Sequence, residues 1–345
     1  MEKHIVFFWA GLTAYGAQAL EELRHNHERL TIVALRSSFP YEGIENLFKG
    51  KIIWIDLSTS GTLDQLCGEY HIVFTSGWNI PIFNKFCDEA RVKGVPVVCT
   101  LDNNWNFSLK TILKAIRFRI KQRNMYDAFL VPGASGEKLL RFFGVPGNLI
   151  FRGFYAGDNK TFYFNRKAST REDKILYVGQ LNGRKNILRV CEAFLRASQK
   201  YPSWVLEICG RGSLLDQIPK SEKIVVNDFL QPAMLAEKYQ SAKVFVLGSL
   251  EEHWGVVVHE AALAGCIMLL SKNVGAATDF LTDTNGFLFR PTSVDSIVKA
   301  MESVMQWTPI QFDDAQSKTI ELSKNFGGEV FAKNVLKIAE SLGVL

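Results

Sequence analysis

Two spacings of apolar residues alternate along the chain. Short runs rich in Val, Ile, Leu and Phe occupy His4–Trp9, Leu30–Leu35, Lys51–Ile55, His71–Thr75, Val95–Thr100 and Ala128–Val131. Several are apolar almost throughout, as strands of a parallel sheet covered on both faces must be. Between them lie stretches with helical spacing, such as Ala17–Arg24 and Ile80–Lys93. This alternation predicts βαβ units. From Gly153 to Asp173 the pattern pauses in a polar, aromatic stretch without period, which reads as a crossing between domains. It restarts with strand runs at Lys174–Gly179, Trp204–Cys209, Lys223–Val226, Lys243–Gly248 and Cys266–Ser271. The expected class is therefore α/β, with two tandem Rossmann-like domains facing a cleft. The expected domains are residues 1–157 and 158–325. Residues 326–345 hold an amphipathic helix near Glu329–Leu342 that could pack back on the first domain.

Composition narrows the function classes. A chain of 345 residues suits two domains, and 47% hydrophobic with 22% charged residues is an ordinary globular balance. The net charge of +5, with an isoelectric point near 8.8, is too mild for a nucleic-acid partner. It suits anionic ligands or an anionic membrane surface. The six cysteines form no CxxC pair and no Cys/His metal spacing. Cys99, Cys209 and Cys266 sit in apolar runs, as reduced thiols do, and a cytoplasmic compartment is expected. The N-terminal run HIVFFWAG is interrupted too soon for a signal peptide. No apolar stretch reaches the roughly 18 residues that a membrane span needs.

Three strand-to-helix junctions in the second half carry candidate chemistry, because ligands of doubly wound sheets bind where strands end and helices begin. The first, Tyr177–Asn186, reads YVGQLNGRKN and leads into a helix with apolar Ile187, Val190, Cys191, Phe194 and Leu195. Asn186 is its expected N-cap. Arg184 and Lys185 then stand at a helix N-terminus, a seat for phosphate, or are two surface charges on a solvated turn. The second, Cys209–Ser213, reads CGRGS; Gly210 either lets a ligand approach the backbone or makes a tight turn. The third, Ser249–Gly265, reads SLEEHWGVVVHEAALAG. Its helix, about Val256–Ala264, is apolar almost all round and should be buried. Glu260 lies inside it, and a buried carboxylate needs partners. Those are either ligand hydroxyls or a structural Arg or backbone group. Glu252 lies just ahead of the same helix.

The spacing Glu252-x7-Glu260 resembles the E-x7-E signature of retaining GT-B-fold glycosyltransferases, family 4 (glycosyl transferases group 1). The surrounding order is similar too: GDNKTF, LYVGQLNGRKN, LEICGRGSL, NDFLQPAMLAEKYQSAKVFVLGS and TNGFLF follow the family's succession over roughly residues 150–300. Over residues 1–150 only the pattern is similar. The resemblance implies a cytoplasmic hexosyltransferase that retains anomeric configuration. It would move a sugar from a nucleotide-sugar donor to a sugar or lipid-linked acceptor, in polysaccharide or glycoconjugate assembly, with no cofactor and no metal. Lys185 would bind the donor diphosphate, Glu260 the ribose hydroxyls and Glu252 the sugar hydroxyls. Backbone amides near Trp254 and Gly255 would meet the sugar phosphate, and Gly11 in the first βα turn would approach donor or acceptor. Retention places acceptor attack on the face of the leaving phosphate, which could take the acceptor's proton.

The chain departs from the family's pattern at several positions. Gln180 stands where Arg is usual, so Arg184 is the candidate replacement. Gly248-Ser249 stands where Pro-Ser is usual. Where a His often follows a first-domain strand, the sequence reads TLDNNW; Asp102 is the nearest candidate to meet the reacting sugar, or else a loop cap. The family's later Glu is Asp279 here and has no assigned role. A non-catalytic nucleotide-sugar-binding subunit and an epimerase of the same fold are the alternatives. A Rossmann oxidoreductase is disfavoured, since Lys3–Leu35 carries no GxGxxG.

Residues Ser108–Asn124, SLKTILKAIRFRIKQRN, combine apolar Leu109, Ile112, Leu113, Ile116 and Ile120 with Lys110, Lys114, Arg117, Arg119, Lys121 and Arg123, and no acid. This is either a basic amphipathic helix that lies on an anionic membrane or a domain helix with its apolar face in the core.

Overall fold

The computed structural model describes residues 2–36, 43–105, 108–154 and 157–345. Residues 155 and 156, within the crossing read at Gly153–Asp173, lie outside them. The chain divides into two compact units, Met1–Ala156 with Phe326–Leu345, and Gly157–Asn325.

The first unit holds strands β1 (Ile5–Leu12), β2 (Leu30–Arg36), β3 (Lys51–Trp54), β4 (Ile72–Ser76), β5 (Val97–Thr100), β6 (Ala128–Val131) and β7 (Ile150–Arg152). They form one sheet in the order β3-β2-β1-β4-β5-β6-β7, every pair parallel. Its helices are α1 (Ala14–Asn26), α2 (Ile44–Leu47), α3 (Leu63–Cys67), α4 (Pro81–Val92), α5 (Leu109–Lys121) and α6 (Ala134–Phe142). Local chemistry sets their starts. Thr13 and Ser108 accept from the amides of Gly16 and Thr111, and Pro81 supplies the first-turn φ of α4. Phe7 stacks on Phe74 with ring centroids 4.4 Å apart, and Phe8 on Phe83 at 5.1 Å, so both faces of β1 are aromatic core.

The second unit holds β8 (Glu172–Val178), β9 (Val205–Cys209), β10 (Ile224–Asn227), β11 (Ala242–Leu247), β12 (Ile267–Ser271) and β13 (Gly286–Phe289), a parallel sheet in the order β10-β9-β8-β11-β12-β13. Its helices are α7 (Ile187–Ala197), α8 (Pro232–Ser241), α9 (Val256–Leu263), α10 (Ala277–Phe280), α11 (Val294–Met305) and α12 (Pro309–Ser323). A final helix, α13 (Gly328–Ser341), belongs to the first unit, packs on α1 and sets Phe331 against Phe7, with ring centroids 5.8 Å apart. In both sheets the strand order reverses beside the first strand of the unit. That is the switch point where open α/β sheets bind ligands, outside the carboxyl ends of the strands.

Helix α5 does not bury the apolar residues that its sequence groups together. Its core face is Thr111, Ala115 and Phe118. Leu109, Leu113, Ile116 and Ile120 are 80%, 66%, 50% and 75% exposed. The reading of an ordinary helix with that face in the core is therefore overturned. The three buried residues are spaced to meet the sheet, and the apolar stripe lies on a different side of the helix.

Candidate functional site

The candidate site of the second unit grows from β8 and β11, the two strands at its switch point. After β8 the chain turns at Gly179 and makes one turn of 3-10 helix over Gly183–Lys185. That turn is capped by Asn182, whose side chain accepts from the amide of Lys185 at 3.0 Å. Asn186 then enters α7 with φ +60. It occupies the N-cap position, but its side chain does not cap the helix, contrary to expectation. Instead it donates to the carbonyls of Gly248 at 3.0 Å and Pro291 at 2.8 Å, stitching the two loops of the switch point together. The backbone adds a second stitch, from the amide of Leu250 to the carbonyl of Arg184 at 2.8 Å.

These stitches bring Lys185 and Glu252 into direct contact. The Lys185 ammonium donates to Glu252 Oε2, Ser249 Oγ lies 3.2 Å from the same oxygen, and Arg184 is 3.5 Å away. Lys185 and Glu252 are each 8% exposed, so the pair is shielded from water. Burial pulls the Lys185 ammonium below its ordinary pKa, and Glu252 opposes that pull. Arg184 also donates to the carbonyl of Glu251 at 2.9 Å. Gln180 brings no charge here: its side chain accepts from Asn182 at 3.0 Å, and its carbonyl from the Tyr177 hydroxyl at 2.9 Å.

Helix α9 starts at Gly255, whose φ of +98 favours glycine, and its first amides have no partner within the helix. Glu260, in the second turn, is 9% exposed. Among the described residues no cation pairs with it. Its Oε2 accepts from the Tyr239 hydroxyl at 3.1 Å, and burial pushes its carboxyl up to about 7. Asp158 adds to that rise through like charge. The structural Arg that could have locked Glu260 is elsewhere: buried Arg171 donates to the carbonyls of Ala242 at 3.0 Å and Ala264 at 2.5 Å. The neighbouring His259 is fully buried and fixed in one tautomer. Its Nδ1 accepts from the amide of Gly157 at 2.9 Å and its Nε2 donates to the carbonyl of Ser323 at 3.1 Å. Burial lowers its pKa to about 4.

The remaining expected residues are more scattered. Trp254 turns its ring into the core against Phe280 and donates from Nε1 to Asp279 at 2.9 Å, which gives Asp279 a structural partner. A Cβ at Gly210 would collide with the carbonyl of Gly179, so the CGRGS turn passes tightly under the β8 loop. In the first unit, Gly11 has φ +70 and lies at a register break inside β1, between Trp9 and Leu12, rather than in the turn after it. A bulge there carries the one extra residue. Asp102 is half-buried in the loop after β5. Sequence reasoning gave no role to Tyr239 or His259, and noted Ser249 only as part of the Gly248-Ser249 departure from the family's pattern. Their signal was present only as polar residues at the edges of apolar runs.

The comparisons with known proteins agree with this architecture. Residues 159–319 match the family model of glycosyl transferases group 1. An uncharacterized glycosyltransferase of Methanocaldococcus jannaschii is 28% identical over 151 residues, covering 41% of this chain and 38% of that protein. The glycogen synthase of Mycobacterium tuberculosis is 29% identical over 147 residues, covering 41% and 36%. The chain thus spans under two fifths of the length of these curated relatives. Anabaena HepE, solved with UDP and glucose, superposes with a TM-score of 0.75 at 13% identity, over 99% of this chain and 100% of that one. The fold is the GT-B fold of glycosyltransferases. The match lies within the second unit and is to the family that the Glu252-x7-Glu260 pattern resembles.

Proposed function

We propose that the protein is a retaining glycosyltransferase that takes a hexose from a nucleotide-sugar bound to its second unit. The observation that carries this reading is the convergence, at one switch point, of a buried Lys185, a nearby Arg184, Glu252 and the N-terminus of α9. Cleavage of a sugar–diphosphate bond builds negative charge on the leaving group. Lys185, Arg184 and the amides of α9 would stabilise it without a divalent metal. Glu260, held by Tyr239, would accept from the ribose hydroxyls, and Glu252 from those of the sugar. Gly11 and Asp102 would serve the reacting sugar or the acceptor from the first unit. The acceptor is proposed to be lipid-linked, because α5 offers an exposed apolar stripe flanked by Lys110, Lys114, Arg117 and Lys121. None of these four cations forms an ion pair among the described residues. An anionic membrane surface complements them.

The test is release of nucleoside diphosphate from UDP- and GDP-sugars, in the presence of a chelator, with and without a lipid-linked saccharide. Acceptor-dependent release is expected, with Lys185→Ala losing most of it. Binding of nucleotide without any turnover would instead favour a non-catalytic nucleotide-sugar-binding subunit. Substitution at Gln180 of the cation usual in the family lends that reading its support.

A further inference from the structure

At the switch point a carboxylate of the protein itself, Glu252, sits among the cations that an anionic ligand would use. Its Oε2 takes the Lys185 ammonium and lies 3.2 Å from Ser249 Oγ and 3.5 Å from Arg184. These are the groups that a diphosphate needs. The loop that carries the carboxylate is pinned on both flanks. Glu252 N–H donates to the carbonyl of Asn273 at 3.2 Å, Gly275 N–H donates to the carbonyl of Glu252 at 3.2 Å, and Asn273 Nδ2 donates to the carbonyl of Leu250 at 2.7 Å. Gly255 closes the other side, where even a Cβ would come within 3.2 Å of Glu252 Cγ.

We infer that the Lys185–Glu252 pair makes the site discriminate the nucleotide-sugar donor from the nucleoside diphosphate product. The inference rests on the donor-site reading above. A nucleoside diphosphate that takes Lys185 separates the pair and leaves a shielded carboxylate with one cation fewer, beside a new anion. Losing its nearest cation weakens the pairing of that shielded charge, at a cost in affinity. A nucleotide-sugar takes Lys185 with its phosphate and offers sugar hydroxyls to the carboxylate, so both halves of the broken pair are satisfied. Glu252 thereby favours the bound donor and, once the sugar has left, the departure of the diphosphate.

The experiment is calorimetric titration of wild-type protein and Glu252→Gln with UDP, UDP-glucose, GDP, GDP-mannose and inorganic pyrophosphate. Wild-type protein should bind one sugar nucleotide more tightly than its own diphosphate. Glu252→Gln should bind that diphosphate, and pyrophosphate, at least threefold more tightly than wild type, while the sugar nucleotide gains nothing, so the ratio collapses. Diphosphate affinity that is unchanged or weaker in Glu252→Gln overturns the inference and leaves the donor site standing. Should the variant not fold, the wild-type ratio decides: a diphosphate bound more tightly than its sugar nucleotide overturns the inference. Wild-type protein that binds none of the five removes the donor-site reading and the inference together.

Discussion

The hydroxyl of Tyr239 in α8 donates to Oε2 of Glu260 in α9 at 3.1 Å, and no cation among the described residues shares that carboxylate. A buried acid held by one neutral donor stays protonated longer, and the Glu260 carboxyl is pushed up to about 7. The folded-state pKa is raised above the unfolded value. The stability Glu260 contributes is therefore fully present below the unfolded value of 4.5 and is lost as pH rises through about 7. Thermal stability of the ligand-free protein should fall between pH 5 and 8 by an amount that Glu260→Gln removes. Nucleotide binding near pH 7 should release a fraction of a proton, read as a dependence of calorimetric heat on the buffer's ionisation enthalpy. Tyr239→Phe deletes a donor to the charged form and should move that release to higher pH. A heat independent of buffer would count against ribose contact by Glu260.

His259 runs the other way with pH. Both ring nitrogens have backbone partners, Gly157 and Ser323, and burial lowers its pKa to about 4. A depressed pKa means that its contribution is present above the unfolded value near 6.5 and lost as pH falls through about 4. His259→Leu leaves a buried amide and a buried carbonyl unpaired, at about 1–3 kcal/mol each. The variant should unfold at lower urea concentration at pH 7, and the gap from wild type should close toward pH 4.

Arg171 reaches the carbonyls of Tyr239 and Ala242, at the end of α8, and of Ala264, at the end of α9. It therefore clamps the two helices that present Tyr239 and Glu260. Arg171→Met strands those carbonyls and should cost on the order of 3 kcal/mol by the same reasoning. It should also shift the pH of proton release on nucleotide binding, which a loss of bulk stability alone would not move. Arg171→Lys should recover part of both.

The strands were legible where apolar runs were long, as at β1, β2, β8 and β12, because a parallel strand buried on both faces leaves an unbroken apolar string. Strands β7 and β13 left no such string. The first has three residues, and the second carries exposed Leu288 within a four-residue span. The pair Glu252 and Glu260 was legible through its spacing, whereas the bond between Lys185 and Glu252 was not. That bond joins residues 67 positions apart, and it depends on Asn186 leaving the capping role that local sequence assigns it. The residues that steady the site, Tyr239, His259 and Arg171, look in sequence like ordinary polar positions. Only the packing of α8 and α9 gives them a common address.

Helix α5 offers a test that separates membrane contact from stability. Leu113 and Ile116 are 66% and 50% exposed, so charging them removes little buried area. The double substitution Leu113→Glu, Ile116→Glu should leave the urea midpoint near that of wild type, as exposed substitutions usually do. It should nonetheless abolish sedimentation with vesicles containing phosphatidylglycerol. Two acids would enter a stripe that needs apolar contact with the acyl boundary, beside cations that need anionic headgroups. Wild-type binding should weaken as salt rises, because the attraction of Lys110, Lys114, Arg117 and Lys121 is screened. Phe118→Ala is the counterpart on the core side: Phe118 is fully buried against Trp78 and Phe143, so its loss should cost about 3–5 kcal/mol. A wild-type protein that ignores anionic vesicles at low salt would remove the membrane from the proposal, and with it the reason to expect a lipid-linked acceptor.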